Sequence, residues 1–179
     1  LLNRGKTLDP DSKLAKAIGS YTSGTVSRTP AALRDALAEA PANAPQLYRG
    51  MVFEQSGAGW DASTADGFIA KLQPGATVKL DASGGLTSWS SSPKVGREFA
   101  GLTAAGKIPR GRVETPVLND IVPGDRRVLF TLKPGAKALN LEPHASQGWR
   151  YQKEWVVPSR VTVKSVRHQG SLTLVEVQQ

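Results

Sequence analysis

The segment Trp149-Arg150-Tyr151-Gln152-Lys153-Glu154-Trp155-Val156-Val157-Pro158 sets an amide, Gln152, and a carboxylate, Glu154, two residues apart at the mouth of an apolar run. In a β-strand, positions two apart share a face. Read as a strand, the segment aims both groups into whatever lies above it; the alternative is a solvated strand start. Arg49 stands inside a second apolar run, Leu47-Tyr48-Arg49-Gly50-Met51. A cation there needs an anionic partner, because burying a lone charge is expensive. Its planar fork matches phosphate or carboxylate, and Gly50 leaves room for a ligand against the backbone. An internal salt bridge is the competing reading. The third stretch is Thr87-Ser88-Trp89-Ser90-Ser91-Ser92-Pro93. Ser91 or Ser92 suits a helix cap. Ser88 and Ser90 share a strand face and are available to orient a neighbouring carboxylate.

Composition narrows the chemistry. The 179 residues fit one domain with a core of its own. There are no cysteines, which excludes a disulfide scaffold, a thiol nucleophile and thiolate metal sites. His144 and His168 are the only histidines, too few for a convincing metal centre, so no metal is expected. No apolar run approaches the roughly 20 residues needed to span a bilayer, and no membrane partner is expected. The chain opens on Leu1, as a domain excised from a longer protein would. Its compartment is not indicated. Lys and Arg number 23 against 15 Asp and Glu. Residues 91–170 hold 14 of the bases and 6 of the acids, while the rest of the chain balances 9 against 9. The whole excess therefore sits in the half that carries Gln152 and Glu154. Such a bias fits an anionic ligand or partner, or simply a solubilising surface.

The elements that must position these groups follow from periodicity and turn signals. Asp9-Pro10 reads as a helix start, with Asp9 as N-cap and the helix running through Leu14 and Ile18. Thr29-Pro30 repeats the signal before Ala31 to Ala40, where Leu33 and Leu37 share a face. Strands are expected at Leu47 to Phe53, Thr77 to Leu80, Leu86 to Ser90, Arg127 to Leu132, Lys137 to Leu141, Glu154 to Val157, Arg160 to Arg167 and Ser171 to Val177. Helices are expected at Thr64 to Leu72 and Pro93 to Ala100. Loops fall at 57–59, 101–125 and 142–150, with a tight turn at Gln169-Gly170. Helices first and antiparallel-type strands later argue for an α+β fold, a single domain over 1–179 with a helical part at 1–45 and a mainly β part at 46–179.

In this order and spacing, the three segments resemble the mono-ADP-ribosyltransferase superfamily of the Arg–Ser–Glu type. Arg49 matches its early-strand arginine. Ser88-Trp89-Ser90 matches its Ser-Thr-Ser strand end, with Trp89 where threonine is usual. Gln152-Lys153-Glu154 matches its Gln-x-Glu pair. Val95 and Phe99 on the following helix and the run Trp155 to Pro158 are similar too. The resemblance spans roughly residues 12–178 and implies N-terminal helices packed on a split two-sheet β-sandwich core.

The resemblance also implies chemistry. NAD would be the substrate, cleaved between nicotinamide and ribose, with ADP-ribose passing to a nucleophile and some NAD hydrolysed to water. Glu154 would stabilise the oxocarbenium-like ribose, with Ser88 holding it and Gln152 facing the acceptor. Arg49 would clamp the pyrophosphate, Gly50 the nicotinamide amide through its backbone, and Ser90 would belong to the same NAD-binding set. Lys107, Arg110 and Arg112 in the 101–125 loop would close over phosphates or face a partner. Family members with Gln before the catalytic Glu modify nucleophiles other than arginine. The expected acceptor is therefore a non-arginine protein side chain, or else a DNA or RNA base such as guanine. Trp149, Arg150 and Tyr151 would recognise that target, and a monomer is expected. A secreted or injected toxin and a phage-borne enzyme both fit. A non-catalytic binding or structural domain of the same fold is the reading from another class.

Overall fold

The computed structural model describes residues 8–23, 29–53, 62–80, 85–111, 121–122, 124–145, 148 and 150–179. The expected loop at 57–59, Arg112 and Trp149 lie outside these residues. The architecture is mixed α and β, with two helices ahead of the first strand. Helix α1 covers Lys13–Thr22 and α2 covers Ala31–Ala38. The first strand, β1, is Leu47–Phe53, followed by α3 at Ala62–Ala70 and β2 at Thr77–Lys79. Then come β3 at Leu86–Ser90, α4 at Pro93–Phe99, β4 at Arg126–Leu132 and β5 at Leu139–Asn140. The chain finishes with β6 at Glu154–Pro158, β7 at Arg160–Gln169 and β8 at Leu172–Gln178. No described helix is long and apolar enough to cross a membrane.

Two helix starts differ from the expected capping. Ser12, rather than Asp9, caps α1, its hydroxyl accepting from Ala15 N at 3.1 Å. Asp9 instead accepts from Asp11 N at 3.0 Å, an Asx turn that feeds the helix. Pro30 occupies the cap position of α2 and supplies no side-chain bond. Ser92 caps α4 ahead of Pro93, as the sequence leads one to expect.

The eight strands join in the order β2-β7-β8-β4-β1-β3-β6-β5. They form one hydrogen-bonded sheet, where two separate sheets were expected. Its narrowest join is between β1 and β3, which meet in a single register pair, Tyr48↔Ser90. On either side the ladders are long: seven pairs between β1 and β4, five between β3 and β6. One pairing departs from the antiparallel expectation, since β4 and β8 run parallel. The long crossover this requires leaves β4, makes β5 to β7, and returns to place β8 beside β4.

Three apolar clusters hold the sheet. The largest gathers Leu47, Phe53, Trp89, Val128, Phe130, Leu132, Val161, Val163, Val175 and Val177 beneath α3. A second packs Ile18, Leu33 and Leu37 of the N-terminal helices against Leu86, Leu141 and Val156. The third, with Ala100, Leu102 and Leu172, lies beyond the end of α4. Arg127 is fully buried. Its guanidinium donates to the carbonyls of Asp125, Val122 and Gly101 and to Ser171 Oγ, tying both ends of the 101–125 loop to the β7–β8 turn.

Helix α4 sits unusually close to β1. A Cβ on Gly50 would stand 2.1 Å from Ala100 N and 2.3 Å from Gly96 O, and one on Gly96 would stand 2.5 Å from Tyr48 Cβ. Helix backbone, then, is what Gly50 admits, and the two glycines let the elements interlock. Gly50→Ala forces the helix away and is expected to cost about 1–3 kcal/mol or more, measured by urea unfolding; Gly67→Ala, whose added Cβ meets nothing within 4 Å, is the control.

Candidate active site

Where β1 and β3 diverge from their single pair, a cleft opens. It is lined by Tyr48, Arg49 and Gly50 from β1, Ser88, Trp89 and Ser90 from β3, Val95 and Phe99 from α4, and by Gln152 and Glu154. Residues far apart in the chain thus line one cleft. Arg49 pairs with Phe130 across β1–β4, yet its Nη1 reaches over the gap to donate to the Ser88 carbonyl at 2.7 Å. Only a splayed junction leaves room for a guanidinium at that place.

Glu154 begins β6, directly opposite Ser90. It is 9 % exposed. Burial pushes its pKa up, while the Ser88 hydroxyl hydrogen-bonded to it and the positive charge of Arg49 pull the other way. Desolvation is the largest of these causes, so the carboxylate is held in a site that would rather have it neutral. That is the setting in which a negative charge interacts most strongly with a cation developing beside it.

Gln152 and Glu154 do not share a strand face, in contrast to the sequence-based expectation. Gln152 ends a 3₁₀ turn, Arg150–Gln152. Lys153 then takes φ +48°, the left-handed region that non-glycine residues adopt at a cost. This one residue reverses the chain, leaving Gln152 half-buried at the cleft edge while Glu154 points in. Three bonds hold the reversal: Lys153 N to Arg150 O, Ser91 N to Lys153 O and Leu141 N to Glu154 O.

Ser90 holds the same corner. Its hydroxyl donates to the Gln152 carbonyl at 2.5 Å and accepts from Ser92 N at 3.0 Å. A hydroxyl has one proton, and here it goes to the backbone of the loop. Ser90 is therefore placed as a brace for Gln152, with its NAD-binding part left as an expectation. Trp89 explains its own departure from the threonine pattern. It pairs with Trp155, is buried in the main core edge-on to Phe130, and its Nε1 donates to Thr87 Oγ1 at 2.9 Å. The flanking serines are left on the cleft side.

Of the expected target-recognition residues, Tyr151 is 43 % exposed beside Gln152, whose Nε2 donates to its hydroxyl at 3.4 Å. The exposed Arg150 spends one donor on Ala145 O at 3.1 Å, closing its own loop. Lys107 and Arg110 are exposed in the described part of the 101–125 loop. Sequence reasoning missed Tyr21, on the last turn of α1, whose hydroxyl lies 3.0 Å from Ser88 Oγ. Its only sequence signal is its place three residues after Ile18, on the buried side of the helix. Among the described residues, no cluster of His, Asp and Glu is arranged to hold a metal ion.

No protein-family description matches this chain, and no curated protein matches it in sequence. Solved structures do. An ADP-ribosyltransferase from Clostridium botulinum aligns over 99% of this chain and 91% of its own, with a TM-score of 0.57 and 12% identity. The Clostridium limosum C3 exoenzyme covers 99% and 88%, at 0.57 and 14%. The Vis toxin of Vibrio splendidus, an ADP-ribosyltransferase, covers 95% and 69%, at 0.50 and 17%. The fold of this chain is that of the ADP-ribosyltransferases, in line with the family that its three segments resemble.

The raised pKa of Glu154 has a thermodynamic sign. A carboxyl whose folded pKa exceeds its unfolded value binds more protons folded than unfolded between the two, so stability falls as pH rises through that window. Glu154→Gln is expected to melt higher than wild type at pH 8, with the gap closing as the buffer is taken down toward the ordinary carboxyl pKa. Calorimetry across that range measures it.

Proposed function

We propose that this chain is an NAD-dependent mono-ADP-ribosyltransferase whose acceptor is a protein side chain other than arginine. The observation that carries the reading is the meeting of Arg49, Ser88 and Glu154 on one cleft in this fold. The residues present suit the substrate. A guanidinium fork at the cleft wall binds a pyrophosphate. A buried carboxylate opposes the positive charge that grows on the ribose as the bond to nicotinamide breaks. Tyr48, Val95 and Phe99 supply apolar lining for a flat ring.

Each residue then has a part. Arg49 holds the diphosphate from β1. Glu154 stabilises the cationic sugar and accepts from its 2′-hydroxyl. Ser88 keeps the carboxylate aimed. Gly50 offers backbone to the nicotinamide amide, beside a helix it already admits. Gln152 and Tyr151 face the incoming nucleophile. Gln152 carries an amide, which both donates and accepts, and lacks the second carboxylate that an arginine acceptor would call for. Where no acceptor is present, water takes its place and the enzyme acts as an NAD glycohydrolase. The two strand groups meeting at Tyr48↔Ser90 would serve as the two leaves of the split core, with the substrate between them.

A second acceptor reading, a nucleic-acid base such as guanine, draws on the basic excess of residues 91–170. Arg150, Lys153 and Lys94 are exposed on the segments that border the cleft, where a phosphate backbone would run.

Two measurements test this. With purified protein and NAD alone, nicotinamide release is expected from wild type, and Glu154→Gln is expected to lower kcat roughly 10²- to 10³-fold. NAD affinity should stay close to wild type, because the carboxylate acts chiefly as charge develops. Wild type without turnover would leave a binding domain of this fold. With labelled NAD and a cell lysate, label that survives nuclease and is lost to protease supports a protein acceptor. The reverse pattern assigns a nucleic acid.

A further inference from the structure

Ser88 is touched from three sides, and the chemistry of those contacts orders its one proton. Its carbonyl accepts from Arg49 Nη1 at 2.7 Å. Its hydroxyl is hydrogen-bonded to the Glu154 side chain. An ionised carboxylate only accepts, so the Ser88 proton goes to Glu154. What Ser88 Oγ still offers is lone pairs. Tyr21 Oη lies 3.0 Å from that oxygen, and the polarity left open is donation from the phenol to the serine.

The geometry points to Tyr21 as a positioning residue of this site: its phenol donates to Ser88 and fixes the rotamer in which the serine proton faces Glu154. The inference rests on the reading of Glu154 as the catalytic carboxylate and adds a residue from the N-terminal helices to it. Helix α1 holds Tyr21 firmly enough for the task. Ile18, one turn earlier, is fully buried in the second cluster, against which Tyr21 itself packs. The helix end is closed by Ser23 N on Gly19 O and by Thr22 Oγ1 on Ile18 O. A hydrogen-bonded chain of phenol, hydroxyl and carboxylate polarises along its length, so the outer donor strengthens the inner bond.

The test compares wild type, Tyr21→Phe, Ser88→Ala and the double variant. Phenylalanine keeps the ring that packs on the second cluster and removes only the donor. The Glu154 carboxyl is titrated by carbon NMR in the substrate-free protein. Among the described residues, the other charged or titratable groups around it are Arg49 and Tyr48 from β1 and Lys153 from the preceding loop, all unchanged in these variants.

Tyr21→Phe is expected to raise the Glu154 pKa and to move the acid limb of the kcat profile for NAD hydrolysis upward with it. The kcat at neutral pH should fall roughly 3- to 10-fold, with KM little changed and Tm within a few degrees of wild type. The double variant should be no worse than Ser88→Ala. A Glu154 titration unmoved by Tyr21→Phe overturns the inference, as does a Tyr21→Phe effect that adds in full to that of Ser88→Ala. Ser88→Ala leaves α1 intact and must itself raise the Glu154 pKa, so the relay stays open to refutation even if the tyrosine variant does not fold. The titration needs no turnover: wild type inactive on NAD overturns the functional reading, and the carboxyl shift still decides the role of Tyr21.

Discussion

A carboxylate kept largely out of water, against its own preference, is the constraint around which the cleft is arranged. Glu154 is disfavoured as an anion by burial and is kept usable by the charge of Arg49 and the proton of Ser88. Neither helper is adjacent to it in sequence. Each has to be delivered by a different strand, and the strands have to part to admit them. The single pair Tyr48↔Ser90 is the compromise: enough hydrogen bonding to keep β1 and β3 in register, little enough that they diverge and leave a gap for a guanidinium. A fully zipped sheet would leave no such gap.

The supports of the site act on the backbone. Gly50 and Gly96 allow α4 to lie directly on β1, which fixes the wall carrying Val95 and Phe99. The left-handed Lys153 and the hydroxyl of Ser90 on the Gln152 carbonyl fix the opposite rim. Arg127, fully buried among carbonyls, does the same for the base of the 101–125 loop. Its pKa is lowered by desolvation and partly restored by Asp125, so this knot too balances a buried charge against polar partners.

Much of this is legible in the chain. Strands β1 and β3 fall where alternation and turn residues put them, residue for residue. The three chemistry-bearing segments stand out because polar groups interrupt apolar runs, and the structure brings them together. What could not be read is local backbone detail and, above all, contact between distant segments. Period-2 alternation makes Gln152 and Glu154 look like neighbours on a strand, because nothing in Gln-Lys-Glu announces a left-handed lysine; glycine or asparagine would have. A ligand accounts for Gly50 in the sequence alone, which does not say that a helix will lie there. Tyr21 looks like core, and the fold is what brings its hydroxyl to Ser88. Strand order is also out of reach, and with it the parallel pairing of β4 and β8.

That parallel pairing bears on how the protein is made. Strand β8 lies between β7 and β4 and, among the described residues, is the ladder that joins β2 and β7 to the remainder of the sheet. It is also the last of the eight to leave the ribosome. Until it arrives, β4 has an open edge next to β1, and the layer beneath Arg49 lacks Val175 and Val177. Vectorial synthesis thus presents Arg49, Ser88 and Glu154 before the last ladder of the sheet that aligns them can form.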